Sequence, residues 1–362
     1  IGPAVKGPVE KPTLVTSYSD YVRTFGATFE SASASYEFMT SIAVKNYFSQ
    51  GGNSVLVSRV VNGSFDPATS TKITGSAVPT APFALDTLGE GIIFNNSTGL
   101  SDPGAENGDG SLVSGSADNL RWEISNISNS QGTFSLSIRQ GDDNTKSKAI
   151  LETFNNVSLD PNSSNYIEAV IGNQSSELTD GVDGTYVRTS GQYVNRSKYV
   201  RVSAINLKTI DYLANDGITV NTDADGTSYS GSLPIPSSGS FQAATGTVMA
   251  GANFFDNVID ANTQGLVATD YTSIISLLNN SEEYIFNIIS APGLTYQNAT
   301  HITPIDNIVS LAEGRGDCIA VLDAVNYEAA VSDVTTKAAL INSSYAATYW
   351  PWLQVLSATG RN

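Results

Sequence analysis

One histidine, His301, supplies all the imidazole in this 362-residue chain. A His-rich metal centre is excluded on that count alone, and any Ser-His-Asp relay has to run through this residue. No Gly-x-Ser-x-Gly elbow presents a serine to it, and His301 lies just before Thr303-Pro304, where loop polarity or local hydrogen bonding accounts for it. The stretch Asn221-Thr222-Asp223-Ala224-Asp225-Gly226 has the alternating oxygens and sixth-position glycine of a calcium loop. Its first position is Asn221 and its twelfth is Ser232, so the bidentate carboxylate is missing and a turn is the better reading. Asp102, Glu106, Asp109, Asp142 and Asp143 act as paired glycosidase acids only if folding sets their separation; otherwise they are solvated loop charge. Cys318, the only cysteine, cannot close an intramolecular disulfide and reads as a small core residue whose thiolate is disfavoured. Trp350-Pro351-Trp352 reads as a strand-end aromatic cluster or an interface anchor. Neither a Walker A loop nor a Gly-x-Gly-x-x-Gly turn follows any predicted strand. No catalytic, cofactor-binding or metal residue is therefore assigned, no cofactor is expected, and the chain reads as something other than an enzyme.

These residues are carried by three blocks of different texture. In the first, Ile1 to Val61, the stripe Met39, Ala43 and Tyr47, with Phe38 and Ile42 beside it, predicts a helix buried on that face and stopped by Gly51-Gly52. Val55, Leu56, Val57, Val60 and Val61 then predict a buried strand. From Asn62 to about Ser240 short alternating segments dominate. Leu120, Trp122 and Ile124 alternate with polar residues, as do Phe134, Leu136 and Ile138, and Gln131-Gly132 joins them as a hairpin. A short helix follows Asp160-Pro161 through Ile167, Val170 and Ile171 to Gly172, and the uncharged run from Gly226 to about Gly251 reads as a surface crossing.

The last block alternates helix and strand: a helix on Tyr271, Ile274, Ile275 and Leu278, and a strand over Tyr284–Ile289 closed by Pro292-Gly293. Next comes a helix capped by Thr303 that buries Ile305, Ile308, Val309 and Ala312. A strand over Cys318–Leu322, a helix on Tyr327, Val331, Val334, Ala338 and Ile341, and a strand over Ala346–Val355 complete the block. Such alternation implies a parallel sheet, which the Val55–Val61 strand is expected to join. The expected fold class is α/β plus β. Residues 1–61 and 251–362 make a discontinuous, parallel-sheet α/β core. Residues 62–250 interrupt it as a large β-rich, sandwich- or barrel-like insertion, divisible into lobes at about 62–178 and 179–250.

Composition narrows the partners. Lys and Arg number 18 against 35 Asp and Glu, a net charge of −17, which disfavours direct binding to nucleic acid or an anionic membrane surface. The longest uncharged stretches, Gly226–Phe255 and Ala338–Gly360, are too polar to sit in lipid, so no stable membrane insertion is expected. Asn-x-Ser/Thr triplets at Asn62, Asn126, Asn156 and Asn342 follow from composition, and no glycosylation is assigned. The opening residues lack the apolar core of a signal peptide, and the numbering reads as beginning inside a longer gene product.

Five segments together resemble the sheath proteins of contractile phage tails, closest to those of T4-like myoviruses. They are GPAVKGPVEKPTLVTSYSDYVRTFG (Gly2–Gly26), YFSQGGNSVLVSRVV (Tyr47–Val61, Arg59 included), the run from Thr133 to Gly172, AEGRGDCIAVLDA (Ala312–Ala324) and NSSYAATYWPWLQV (Asn342–Val355). The resemblance implies a virion structural subunit, made in the host cytoplasm, that polymerises helically around a tail tube on a baseplate. Its contraction would drive the tube through the host envelope. Partners implied are neighbouring sheath subunits, the tail tube protein and the baseplate. The family's N-terminal arm and C-terminal domain have no counterpart in this sequence, and 63–119 and 179–239 match no family segment, so this stretch by itself is expected to be monomeric. Three other readings remain open: an extracellular β-rich adhesin or receptor-binding protein, the sheath of a tailocin or another contractile injection system, and a carbohydrate-active enzyme using two carboxylates.

Overall fold

Local punctuation sets the first elements. The chain runs through β1 (Thr13–Val15), α1 (Tyr18–Phe25), the hairpin β2 (Thr28–Ser31) and β3 (Ala34–Glu37), α2 (Met39–Ser49) and β4 (Val55–Val57). Ser17 caps α1 by accepting from the Asp20 amide at 3.1 Å, and Gly26 ends it at φ 71°. The computed structural model describes the chain apart from residues 32–33, 64, 78–79, 91–119, 142, 144–145, 183, 224–225, 243–257, 261 and 357–362.

Two expectations for this block are corrected. β4 pairs antiparallel with β1, Val57 opposite Thr13 and Val55 opposite Val15, and does not enter the parallel sheet. The β-branched run breaks at Ser58-Arg59, where the main chain bridges Gly2 and Val9 instead, while Val60 drops into the C-terminal core. In α2 the buried face is Thr40, Ser41 and Val44, and Ala43 and Tyr47 point outward. The reason lies outside the helix: Gly2 packs directly on the Thr40 hydroxyl, and Ala4 is buried in the cluster that holds Val44. A polar face is thus covered by the chain's own first residues.

The middle of the chain forms one large antiparallel sheet. Its strands are β5 (Pro67–Ser70), β6 (Phe83–Glu90), β7 (Leu120–Ser128), β8 (Thr133–Gln140), β9 (Ile150–Ser158), β12 (Val200–Ile205) and β13 (Ser237–Gln242). Between β9 and β12 the chain makes α3 (Ile167–Ile171) and the separate hairpin β10 (Ser175–Gly181) and β11 (Gly184–Ser190). The sheet order is β12-β6-β5-β13-β7-β8-β9. The expected hairpin of β7 and β8 holds, Trp122 opposite Ile138 and Ile124 opposite Leu136, with all six alternating apolar residues buried. β13 corrects the reading of Gly226–Gly251 as a crossing loop, because Ser237–Gln242 sits at the centre of the sheet. Residues 243–251 of that run lie outside the described residues.

The sheet curls on itself. Phe83 on β6 and Phe134 on β8 are four strands apart in the order, about 19 Å in a flat sheet at about 4.8 Å per strand. Their rings nonetheless stack at 5.5 Å. The seam between edge strands β9 and β12 is filled by α3, which buries Ile167 and Ile171. There Glu152 of β9 accepts from Ser197 Oγ at 2.6 Å and the Lys198 amide at 2.9 Å, and the Val202 amide of β12 donates to Gly172 at 2.8 Å.

The last block opens with β14 (Val258–Ile259) and β15 (Asn262–Thr263), then α4 (Thr272–Leu278). After it β16 (Ile288–Thr295), α5 (Ile302–Arg315), β17 (Ile319–Asp323), α6 (Val331–Ala338) and β18 (Ala346–Thr348) make a small parallel sheet in the order β16-β17-β18. Its core holds Ile274, Ile289, Ile305, Ile308, Ala320 and Leu322. Four details differ from expectation. β16 begins at Ile288 and runs through Pro292-Gly293, leaving Ile285 exposed. The helical run into α5 starts earlier than Thr303: a 3-10 turn at Ala299–His301 follows extended Asn298, an N-cap residue type. α6 spans only Val331–Ala338 and has no buried residue. β18 ends at Thr348, and the next segment leaves the sheet at the cis Trp350-Pro351 bond. Arg315, its side chain 1% exposed, donates to Leu278 O, Tyr284 O and the Asp317 carboxylate, tying the end of α4 to the start of β17.

Candidate functional site

The carboxyl ends of parallel strands are where α/β sheets usually place chemistry. Here they carry Thr295, Asn298, His301, Asp323 and Asn326. His301 is buried, and its Nδ1 accepts from the Thr295 amide at 3.2 Å. Asn298 Nδ2 donates to Thr295 Oγ1 at 2.9 Å, Thr295 Oγ1 donates to Asn326 Oδ1, and Asn326 Nδ2 donates to Asn298 Oδ1 at 3.0 Å. With Nδ1 held by a main-chain donor, the imidazole has no lone pair aimed at the Thr295 hydroxyl, so this set does not form a nucleophile and base. It ties the loops after β16 and β17 together, which agrees with reading His301 as local hydrogen bonding.

Asp323 closes β17 in the same region, and burial pushes its carboxyl up to about 6. A folded-state pKa above the unfolded value means the native chain holds the extra proton between about pH 4 and pH 6, so this group's contribution falls as pH rises through that window. Asp323→Asn is expected to exceed the parent in stability at neutral pH by up to about 3 kcal/mol and to lose the advantage near pH 4. Denaturant titrations at the two pH values check this, and equal differences at both would overturn it.

Of the other residues named from sequence, those among the described residues are not brought together. Asp143 is buried in a bidentate pair with Arg139, at 2.6 and 2.7 Å, and Arg139 also reaches Glu123 at 2.8 Å. Asp102, Glu106, Asp109 and Asp142 lie outside the described residues. In the calcium-like stretch Asp223 Oδ1 accepts from the Thr227 amide at 2.8 Å and Asn221 Nδ2 donates to Leu213 O at 3.2 Å, which is a local turn. Cys318 is buried, and burial pushes its thiol up. Among the described residues no group of three His, Cys, Asp or Glu is placed to hold a metal ion, and no helix is long and apolar enough to cross a membrane.

The structure adds two further features, the second built in part on the Trp350-Pro351-Trp352 cluster already named from sequence. The first is a cleft of roughly 810 Å³ between the first residues, the end of β6 and the start of β10. Arg59 lies beneath it, 1% exposed, donating from NH1 to Gly7 O at 2.6 Å and to Glu90 O at 3.1 Å, with its guanidinium over Phe65. Burial lowers its pKa to about 10, so it stays charged at neutral pH. Glu90 receives the Val9 amide at 3.0 Å and the Lys11 ammonium. Glu10 on the rim is pushed up by burial and then by the carboxylates of Glu90, Asp270 and Asp180. The cleft walls carry both signs of charge, and Lys11 and Glu90 pair within it. Beside it the β10–β11 hairpin straps the curled sheet to the C-terminal core: Leu178 and Val187, opposite one another, pack on that core, and Thr185 Oγ1 bonds Ser276 Oγ at 2.9 Å.

The second feature is an apolar surface at the C-terminal edge. Among the described residues β18 pairs only with β17. The segment after it is pinned by Trp352 Nε1 to Val325 O at 2.9 Å and by Gln354 Nε2 to Tyr327 OH at 2.8 Å. Tyr349, Leu353 and Leu356 are nevertheless 77, 82 and 66% exposed, and Trp350 and Tyr327 are exposed beside them. Apart from Tyr327, these residues fall within Ala338–Gly360, which has no charged residue in a chain of net charge −17. Single exposed apolar residues need no explanation, but several in one uncharged segment that follows an edge strand are what an interaction site requires. A scan against protein-family models and a search of curated proteins both find no match to the chain.

Proposed function

We propose that the chain is a structural, self-assembling subunit of a contractile tail sheath, located in the virion and contacting neighbouring sheath subunits, the tail tube and the baseplate. The observation that carries this reading is the edge of β18, which has no second strand partner among the described residues, followed by exposed Tyr349, Trp350, Leu353 and Leu356. Like-charged subunits approach most readily where the surface is uncharged and apolar. The ordered series of sheath-like segments supports it as well. Mechanism on this reading is conformational: units braced by Arg59 and strapped by β10–β11 move as nearly rigid bodies. The finer fold reading belongs to the same proposal, with 1–61 and 251–362 as one α/β core and 62–250 inserted. In its favour, Val60 and Leu56 pack into the C-terminal core, the Ile1 ammonium donates to Ser290 O at 2.8 Å, and the Met39 amide donates to Gln264 Oε1 at 2.7 Å.

Electron microscopy of the whole gene product tests the function. Hollow striated tubes support a sheath, of a phage or of another contractile injection system. Isolated particles that bind glycans favour the adhesin reading, whose support is the large antiparallel sheet. The double variant Tyr349→Glu/Leu353→Glu, exposed at both positions, is expected to keep the parent melting temperature and to abolish tubes; tubes of normal length would remove this surface from the assembly.

A further inference from the structure

The loop after β4 carries the dipeptide Asn62-Gly63. Both residues are exposed, Gly63 sits at φ 85°, and a Cβ added to it would meet nothing within 4 Å. The Asn62 carboxamide forms a clasp: Nδ2 donates to both carboxylate oxygens of Asp270, at 3.2 and 3.1 Å. Asp270 also accepts from the Val267 amide at 2.8 Å, which anchors its carboxylate at the 3-10 turn Ala268–Tyr271 leading into α4. Asn62 therefore links the first block to the C-terminal core across an open loop.

We propose that Asn62 is a site of spontaneous deamidation, and that conversion of the Asn62-Gly63 bond releases this clasp. In the first step the Gly63 main-chain nitrogen bonds to Asn62 Cγ and the Cγ–Nδ2 bond breaks. The proton lost by the Gly63 nitrogen passes through water to the departing nitrogen, which leaves as ammonia. Water then opens the cyclic imide to aspartate or its β-linked isomer, so one water is consumed for each ammonia released. Glycine favours the step because no side chain hinders approach of its nitrogen, and the surroundings of Gly63 are open. Asp270 favours it too: its oxygens already face Nδ2, where the departing nitrogen must take on a proton. The product has the opposite relation to Asp270, since a donor has been replaced by a second carboxylate and attraction becomes repulsion.

Peptide mapping by mass spectrometry, on protein held at neutral pH and physiological temperature, tests the site. Asn107-Gly108 is a second Asn-Gly pair in the same chain and serves as an internal comparator. Conversion of Asn62 at a rate equal to or above that of Asn107 is the expected result. Conversion of Asn107 without Asn62, or of neither, overturns the proposal. Asp270→Asn is expected to slow conversion at Asn62 and leave Asn107 unchanged; equal slowing at both removes the assisting role. Asn62→Asp reads the consequence without waiting for the chemistry. Its melting temperature should fall below the parent's at low salt and recover as salt is added, whereas the loss in Asn62→Ala should not respond to salt. A parent-like melting temperature for Asn62→Asp at low salt would show that no clasp is released.

Discussion

Arg59→Ala is expected to lower stability by about 3 kcal/mol or more, the largest loss for any single residue outside an apolar core. The side chain is buried, and its two main-chain acceptors come from different parts of the chain, Gly7 in the first segment and Glu90 at the end of β6. Truncation leaves both carbonyls without this donor and opens a space beneath the cleft, each stranded buried acceptor costing about 1–3 kcal/mol. The backbone at Arg59 adds to the coupling: the Glu10 amide donates to its carbonyl at 2.9 Å, and Gly2 and Val9 bridge it. Loss of the side chain should therefore loosen residues 1–11 first, visible as faster amide exchange there than in β7 or β8. Arg59→Met separates volume from hydrogen bonding, because a buried charge replaced by an apolar residue of similar size recovers its desolvation cost. If both variants unfold within about 1 kcal/mol of the parent in urea, Arg59 is not the brace described.

Phe134→Ala is expected to cost about 3–5 kcal/mol, the range for deleting a fully buried aromatic ring. The residue is completely buried and stacks on Phe83 at an interplanar angle of 18°, so its removal empties the place where β6 and β8 face each other across the curled sheet. Phe134→Leu keeps most of the volume and should lose only about 1 kcal/mol. Unfolding followed at Trp122, buried in the same core, reports this sheet. A loss under about 1 kcal/mol for the alanine variant would show that the rings do not hold the curl closed.

Much of the chain was legible because the deciding forces act over a few residues. Alternation in Leu120–Ile124 and Phe134–Ile138 marked two strands and their turn, since a strand turns every second side chain to the same face. Gly172 ends α3 through cap chemistry contained within a turn, and Ser17 and Gly26 bound α1 in the same way, although no helix was read there from the sequence. Strand–helix–strand alternation after residue 287 marked the parallel sheet. The candidate assembly surface was half legible: the Trp-Pro-Trp cluster and the absence of charge over Ala338–Gly360 stand in the sequence, but the exposure of Tyr349 and Leu353 does not.

What the sequence by itself determined, then, is element type wherever near neighbours set it, the exclusion of a His-rich metal centre, and the acidic charge. Only the tertiary structure decided partners, because a partner can lie far along the chain and leave no local mark. β13 has no alternation, yet it is central because main-chain hydrogen bonds need no side chain, and Gly239 is required where the Trp122 ring lies across it at 2.6 Å from the place of a Cβ. The stripe of α2 pointed one way and the helix buried another, because Gly2 packs on its Thr40 face. Arg59 looked like a break in an apolar run; it became a brace because Gly7 and Glu90, 52 and 31 residues away, turn their carbonyls toward it. Nearby spacing fixes which way a side chain points along its own element, whereas burial is settled by whatever distant segment arrives to cover it.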